Sequence, residues 1–147
     1  MSNETGLKLL FIINPTSGAA KTDWPALIKK ECDSKSLSFE LFELPRDCEP
    51  DQLTEKIRKY KPSRVVAVGG DGTVNLLARS LLHLDIPLAI LPAGSANGMA
   101  KEIGIPMDPE KAIAVCLEGH PKKIHLLEIG DKLCIHLSDL GFNACRP

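Results

Sequence analysis

The stretch VVAVGGDGTVN, Val65 to Asn75, decides how this chain is read. An unbroken apolar run is the pattern of a strand buried on both faces. Three glycines and an aspartate follow it at once, and then a run with helical spacing. Gly69, Gly70 and Gly72 are expected to allow positive φ and to let backbone amides approach a ligand closely. Thr73 is expected to cap the helix that follows. The amino end of such a helix favours an anion, and phosphate is the natural occupant.

Outward from that junction the chain alternates strand and helix. LKLLFII, LSFELFEL, RVVAV and PLAIL read as four strands. DWPALIKKECDSK, EPDQLTEKIRKY, TVNLLARSLLHL, MAKEIG and DPEKAIAVCLEG read as helices, with Asp23 and Asp108 as caps and Gly119 as a stop. The third of these places Val74, Leu77, Ala78, Leu81 and Leu82 on one face. The alternation predicts an α/β fold, a parallel sheet with helices on both faces. Beyond residue 120 the grammar changes: two strand-like runs flank Gly130-Asp131, a hairpin signal. The expected division is an α/β domain over residues 1–120 and, over 121–147, a β-hairpin that begins an antiparallel second unit.

Composition sets the outer limits. The chain has 147 residues, 44% apolar and 25% charged, with a formal net charge of −1. That is the balance of a globular protein with a real core, and it offers no basic face for nucleic acid. Lys122 and Lys123 in KKIH are the only hint of local positive charge and read as solvated surface. Cys32, Cys48, Cys116, Cys134 and Cys145 form no CxxC pair and read as reduced thiols in a cytoplasmic protein. LLFII is too short for a signal sequence or a membrane span, and the acceptor-like Asn3-Glu4-Thr5 is set aside.

Open α/β sheets bind ligands at the carboxyl ends of their strands, beside a topological switch point. Three polar loops share that edge here. GGDGTVN follows the third strand and PAGSANG the fourth, while Asn14, Thr16, Ser17 and Gly18 follow the first. In PAGSANG, Ser95 offers a hydroxyl and a potential cap, and Asn97 an amide that both donates and accepts. Asp71 conflicts with a phosphate unless Mg²⁺ bridges the two, or unless it orients a loop amide or a ligand hydroxyl. The Walker, Rossmann, protein-kinase and nucleophile-elbow motifs are all absent from the sequence. His83, His120, His125 and His136 are scattered without a completing carboxylate or cysteine.

NPTSG, VVAVGGDGTVN and LAILPAGSANGMAKEIGIP stand in the order and spacing of the diacylglycerol kinase catalytic domain. The chain resembles that family from about Leu9 onward, and CIHLSDLGFNA resembles the strand that opens the family's second domain. GGDGT alone also occurs in NAD kinases and 6-phosphofructokinases, whose nucleotide domain has the same kind of fold. GGDGTVN combined with LPAGSANxxA is the more specific signature.

The resemblance implies an ATP-dependent transfer of phosphoryl to a lipid hydroxyl, such as that of diacylglycerol or a sphingoid base. Gly69, Gly70, Asp71, Gly72, Thr73 and Asn75 should line the ATP phosphates. Gly94, Ser95 and Asn97 should complete the pocket, Asn14 should lie beside it, and Mg²⁺ is expected at Asp71. The family's usual GTxNDFA is here GSANGMA, with Gly98 in the place of an aspartate. ELPRDCEP lacks the threonine often found where the second strand ends, close to Leu44.

The family's general base, late in its second domain, is expected beyond Pro147. The chain therefore reads as the nucleotide half of a two-domain lipid kinase, weak or inactive alone, cytoplasmic and only transiently at a membrane surface. An NAD kinase-like enzyme and a non-catalytic nucleotide-binding module remain as alternatives. Ile124, Leu126, Cys134, Ile135 and Leu137 on the hairpin would leave adhesive edges, so dimerisation or a tail folded back on the core is expected.

Overall fold

The computed structural model describes residues 6–17 and 21–135. Gly18, His136, Leu137, Cys145 and the rest of the segment that resembles a second-domain strand lie outside those residues. Four strands, β1 (Lys8–Ile13), β2 (Ser38–Glu43), β3 (Arg64–Gly69) and β4 (Leu88–Pro92), pair in parallel in the order β2-β1-β3-β4. Helices α1 (Trp24–Ser34), α2 (Pro50–Tyr60), α3 (Asp71–Leu81), α4 (Gly98–Glu102) and α5 (Pro109–Glu118) connect and cover them. A separate antiparallel pair follows, β5 (Leu127–Ile129) and β6 (Lys132–Cys134), joined at Gly130 and Asp131.

Strand parity sorts the core into two layers. Leu9, Phe11, Val66, Val68 and Leu91 pack with α1 and α5, including Trp24, Ile28 and Ile113. Leu10, Ile12, Val65, Ala67 and Ile90 pack on the other face with Leu53 and Ile57 of α2 and Val74 and Leu77 of α3. Alternate residues of a strand point to opposite faces, so a run that is apolar throughout serves both layers at once. Leu9, Leu10, Phe11 and Ile12 are fully buried, which is why the run tolerates no polar residue.

Helix boundaries follow the expected chemistry at α1 and α5. Asp23 accepts the Ala26 amide at 3.1 Å, and Asp108 accepts that of Lys111 at 2.9 Å, each with a proline in the first turn. The Arg64 guanidinium donates to the Cys116 and Gly119 carbonyls and so satisfies the end of α5. The predicted apolar face of α3 holds at Val74, Leu77 and Leu81, but Leu82 is exposed and Ser80 is buried in its stead. The Ser80 hydroxyl bonds back to Leu76, and the Ser80 carbonyl accepts from Thr54 Oγ1 at 2.8 Å, which ties α2 to α3. Polar satisfaction lets a serine replace a leucine on a packed face.

The order β2-β1-β3-β4 puts the switch point between β1 and β3. Connections leave these two neighbours in opposite directions, so their carboxyl ends open a crevice.

Candidate nucleotide-binding site

That crevice is a cleft of about 230 Å³ lined by Asn14, Ser17, Leu44, Gly70, Gly72, Thr73 and Leu76. β1 delivers Asn14, whose amide continues the ladder to the Val68 carbonyl at 3.0 Å. The Asn14 side chain organises the wall. Its Oδ1 accepts the Thr16 amide and hydroxyl at 3.0 and 2.8 Å, and its Nδ2 donates to Thr73 Oγ1 at 3.1 Å. The loops after β1 and β3 are thereby joined across 59 residues of sequence.

The positive φ predicted for Gly69, Gly70 and Gly72 is not found. Among the described residues only Gly104 and Gly130 are glycines with positive φ; Gly70 is extended at φ −94° and ψ −165°. What these positions require is close approach. A Cβ on Gly69 would lie 2.5 Å from Thr73 Oγ1, and one on Gly94 would lie 2.3 Å from the Gly70 Cα. Gly72 differs, since a Cβ there would meet nothing within 4 Å. It is exposed and faces the cleft.

Helix α3 starts two residues earlier than the sequence predicts. Gly70 is its N-cap, and Asp71, Gly72 and Thr73 form its first turn, so Thr73 is no cap. Its hydroxyl fits only because Gly69 is bare, and the residue is buried. The amides of a helix's first turn have no partner within the helix. Gly72 and Thr73 both line the cleft, as does Ser17.

Asp71 turns away from that cleft. Its Oδ2 accepts the Gly98 amide and its Oδ1 the Met99 amide, each at 3.0 Å, at the amino end of α4. Asn97 is also spent inside the protein. Its Oδ1 accepts from the Gly94 amide at 2.9 Å and its Nδ2 donates to the Gly94 carbonyl at 2.8 Å, while its backbone takes the left-handed conformation at φ 52°. The side chain closes PAGSAN into a ring. Ser95 is exposed at the tip of that loop, and Asn97, not Ser95, occupies the N-cap of α4. Asn75 lies one turn into α3 and does not line the cleft; its Oδ1 is buried without a hydrogen-bond partner.

Of the predicted residues, the structure brings Asn14, Gly70, Gly72 and Thr73 together around the cleft. It places Gly69, Asp71, Gly94 and Asn97 in the scaffold behind them. Leu44 and Leu76 are apolar walls that sequence reasoning missed. Leu44 extends β2 through its backbone N–H, which donates to the Ile13 carbonyl at 2.8 Å, and Leu76 sits one turn after Gly72, so both positions follow from the elements once their boundaries are known.

A larger groove of about 940 Å³ lies elsewhere, against β4 and the extended segment near Lys122. Size alone would favour it. Binding sites, however, combine walls with a few convergent polar groups. The smaller cleft is lined by the first turn of α3 and by the polar residues Asn14, Ser17 and Thr73. Its volume falls below the roughly 300–1,000 Å³ of a site that encloses a whole small molecule, so it suits the phosphate end of a ligand.

No group of three or more His, Cys, Asp or Glu residues is disposed to hold a metal ion among the described residues, and the Asp71 carboxylate is committed to two amides.

A parallel sheet with a glycine-ended strand, a helix amino terminus at the switch point and a polar second loop are the features of an α/β domain with a crevice at the carboxyl ends of its strands. The model of the diacylglycerol kinase catalytic domain matches residues 8–129, and the chain belongs to that family. It is 42% identical over 86 residues to the protein named Probable lipid kinase YegS-like of Chromohalobacter salexigens, across 56% of this chain and 28% of that one. It is 37% identical over 96 residues to Lipid kinase YegS of Escherichia coli K12, across 62% of this chain and 32% of that one. The crystal structure of a diacylglycerol kinase from Bacillus anthracis str. Sterne shares the fold, with a TM-score of 0.71 at 22% identity. That match covers 95% of this chain and 50% of the other. The chain thus spans under a third of the two curated relatives and half of the solved one.

Proposed function

We propose that this chain is the nucleotide-binding portion of an ATP-dependent lipid kinase. The observation that carries the reading is the junction at the switch point, where the amino end of α3 and the Asn14–Thr73 pair face one cleft. The terminal phosphoryl group passes from ATP to a lipid hydroxyl, such as that of diacylglycerol or a sphingoid base, leaving ADP and a lipid phosphate. The chain's share is binding and orientation. Gly72 and Thr73 present amides to the phosphates, Thr73 and Ser17 add hydroxyls, and Leu44 and Leu76 shield the site from water. Ser95 at its loop tip and Asn75 on α3 stay assigned to the nucleotide on the strength of the family motif.

On this reading the β5–β6 hairpin, Leu127 to Cys134, opens the acceptor half of the enzyme. No helix among the described residues is long and apolar enough to cross a membrane, and a peripheral, cytoplasmic enzyme touches its lipid transiently. Ile124, Leu127 and Ile129 are half exposed, and a dimer formed through them would appear as a concentration-dependent mass in sedimentation.

The test is calorimetric titration of the chain with ATP, with NAD as competitor. Saturable ATP binding that NAD does not displace is expected. Gly72→Val should remove it while the chain still melts cooperatively, because the new side chain meets only the cleft. Gly70→Val is a poorer probe, since its Cβ would lie 3.1 Å from the Gly94 Cα. Retained affinity in Gly72→Val, or displacement by NAD, overturns the reading.

A further inference from the structure

A carboxylate in the first turn of a phosphate-binding helix needs a physical reason, because at short range it repels the ligand. Asp71 is the first residue of α3, with the cleft-lining Gly72 next to it. Its two oxygens instead meet the Gly98 and Met99 amides, 27 and 28 residues away in sequence. A carboxylate that accepts two backbone amides forms charge-assisted bonds, and its charge is spread onto donors that would otherwise be orphans of α4. Behind this pair the bare Cα of Gly70 abuts Gly94, and Asn97 closes the loop that carries Gly94. GGDG and PAGSANG are therefore one body, latched at Asp71 and packed at Gly70.

We infer that Asp71 is a positioning residue and not a Mg²⁺ ligand: it straps α4 and its loop to α3 and so holds the GGDG amides in line with the cleft. Mg²⁺ takes near-octahedral oxygen geometry, keeps several waters and is usually held by one or two carboxylates together with substrate phosphates. Here the carboxylate is turned onto α4, and the described residues supply no cluster to replace it. Any Mg²⁺ that accompanies the nucleotide would have to be held without the Asp71 carboxylate. Gly98 fits this arrangement, since its amide, and no side chain of its own, meets the Asp71 oxygen. The inference deepens the function proposed above and rests on it only for the ATP measurement.

The test uses this chain in three measurements. First, Mg²⁺ is titrated to 10 mM while the Gly98 and Met99 amides are followed by NMR. A strap leaves both resonances in place, whereas a ligand carboxylate drawn toward the metal moves them. Second, hydrogen exchange at these two amides should rise about tenfold or more in Asp71→Asn, whose NH₂ cannot accept the second amide. Third, Asp71→Asn should weaken ATP binding by the same factor with Mg²⁺ and without it. Asp71→Glu, which keeps the charge but overreaches α4, should not restore affinity. Ile28→Val, on the opposite face of the sheet, controls for loss of stability and should leave exchange at Gly98 unchanged.

Mg²⁺-induced shifts, unchanged exchange, a loss of affinity confined to Mg²⁺-containing solution, or rescue by Asp71→Glu would each overturn the assignment. Should Asp71→Asn not fold, the Mg²⁺ titration of the unaltered chain decides alone. A chain that binds no ATP at all would sink the proposed function, while the first two measurements would still judge the strap.

Discussion

Replacing Gly94 by alanine should separate the two loops that build the site. The new Cβ would lie 2.3 Å from the Gly70 Cα, 2.9 Å from the Gly70 nitrogen and 3.0 Å from Asn97 Oδ1. Carbon atoms rest near 3.5–4.0 Å, so the first contact is more than 1 Å too short. The two shortest contacts are with Gly70 backbone, and alanine has no rotamer to relieve them. Overpacking of this kind costs about 1–3 kcal/mol, and a clash with main chain belongs at the upper end. Displacing Asn97 also strains the bond from the Gly94 amide to its Oδ1, worth roughly 1 kcal/mol. The total is about 3–4 kcal/mol, which in a domain of this size lowers Tm by roughly 10 °C.

Gly72→Ala provides the contrast. Its Cβ meets nothing, and alanine in a helical turn is about 0.5–1 kcal/mol better than glycine, so Tm should rise by roughly 2–3 °C. Thermal and urea unfolding followed by circular dichroism measures both. Equal melting of Gly94→Ala and the unaltered chain would refute the close-approach argument, as would a loss at Gly72 as large as that at Gly94.

Two further outcomes follow from the same geometry. Thr73→Val keeps the shape but removes the acceptor of Asn14 Nδ2, so stability should fall by about 1–2 kcal/mol and ATP affinity should fall with it; urea unfolding and calorimetry check the pair. Burial pushes the Cys32 thiol up to about 11 and the Cys116 thiol up to about 12, so both should resist thiol reagents at pH 8 until urea is added. In the unfolded chain these thiols ionise near 9, so stability should be flat below pH 9 and fall from there toward the raised native values. A urea midpoint unchanged between pH 8 and 10.5 would contradict this.

The local elements were legible because each is written in neighbouring residues. The apolar runs of β1 and β3, the Asp23 and Asp108 caps and the stop at Gly119 depend on contacts a few residues long, and they fell where expected. The start of α3 was misplaced because Asp71 and Gly72 are poor helix formers by propensity, whereas the packing of Gly70 on Gly94 and the bonds from Asp71 to the Gly98 and Met99 amides fix the first turn from outside the helix. The motif residues were legible as a set, but not their division of labour. Asn97 has the same side chain whether it faces a ligand or closes its own loop.

By itself, then, the sequence determined the alternation of strand and helix, the parallel sheet, and the family signature carried by GGDGTVN and LPAGSANGMA. Periodicity and turn chemistry act over a few residues and survive in a linear reading. Tertiary structure alone decided that Leu44 and Leu76 wall the cleft, that Gly70 must be bare for Gly94, and that Asp71 turns to Gly98 and Met99. Those choices depend on which of several polar partners comes within 3 Å, and that is fixed only when β1, β3 and β4 pack side by side and bring their carboxyl-end loops together.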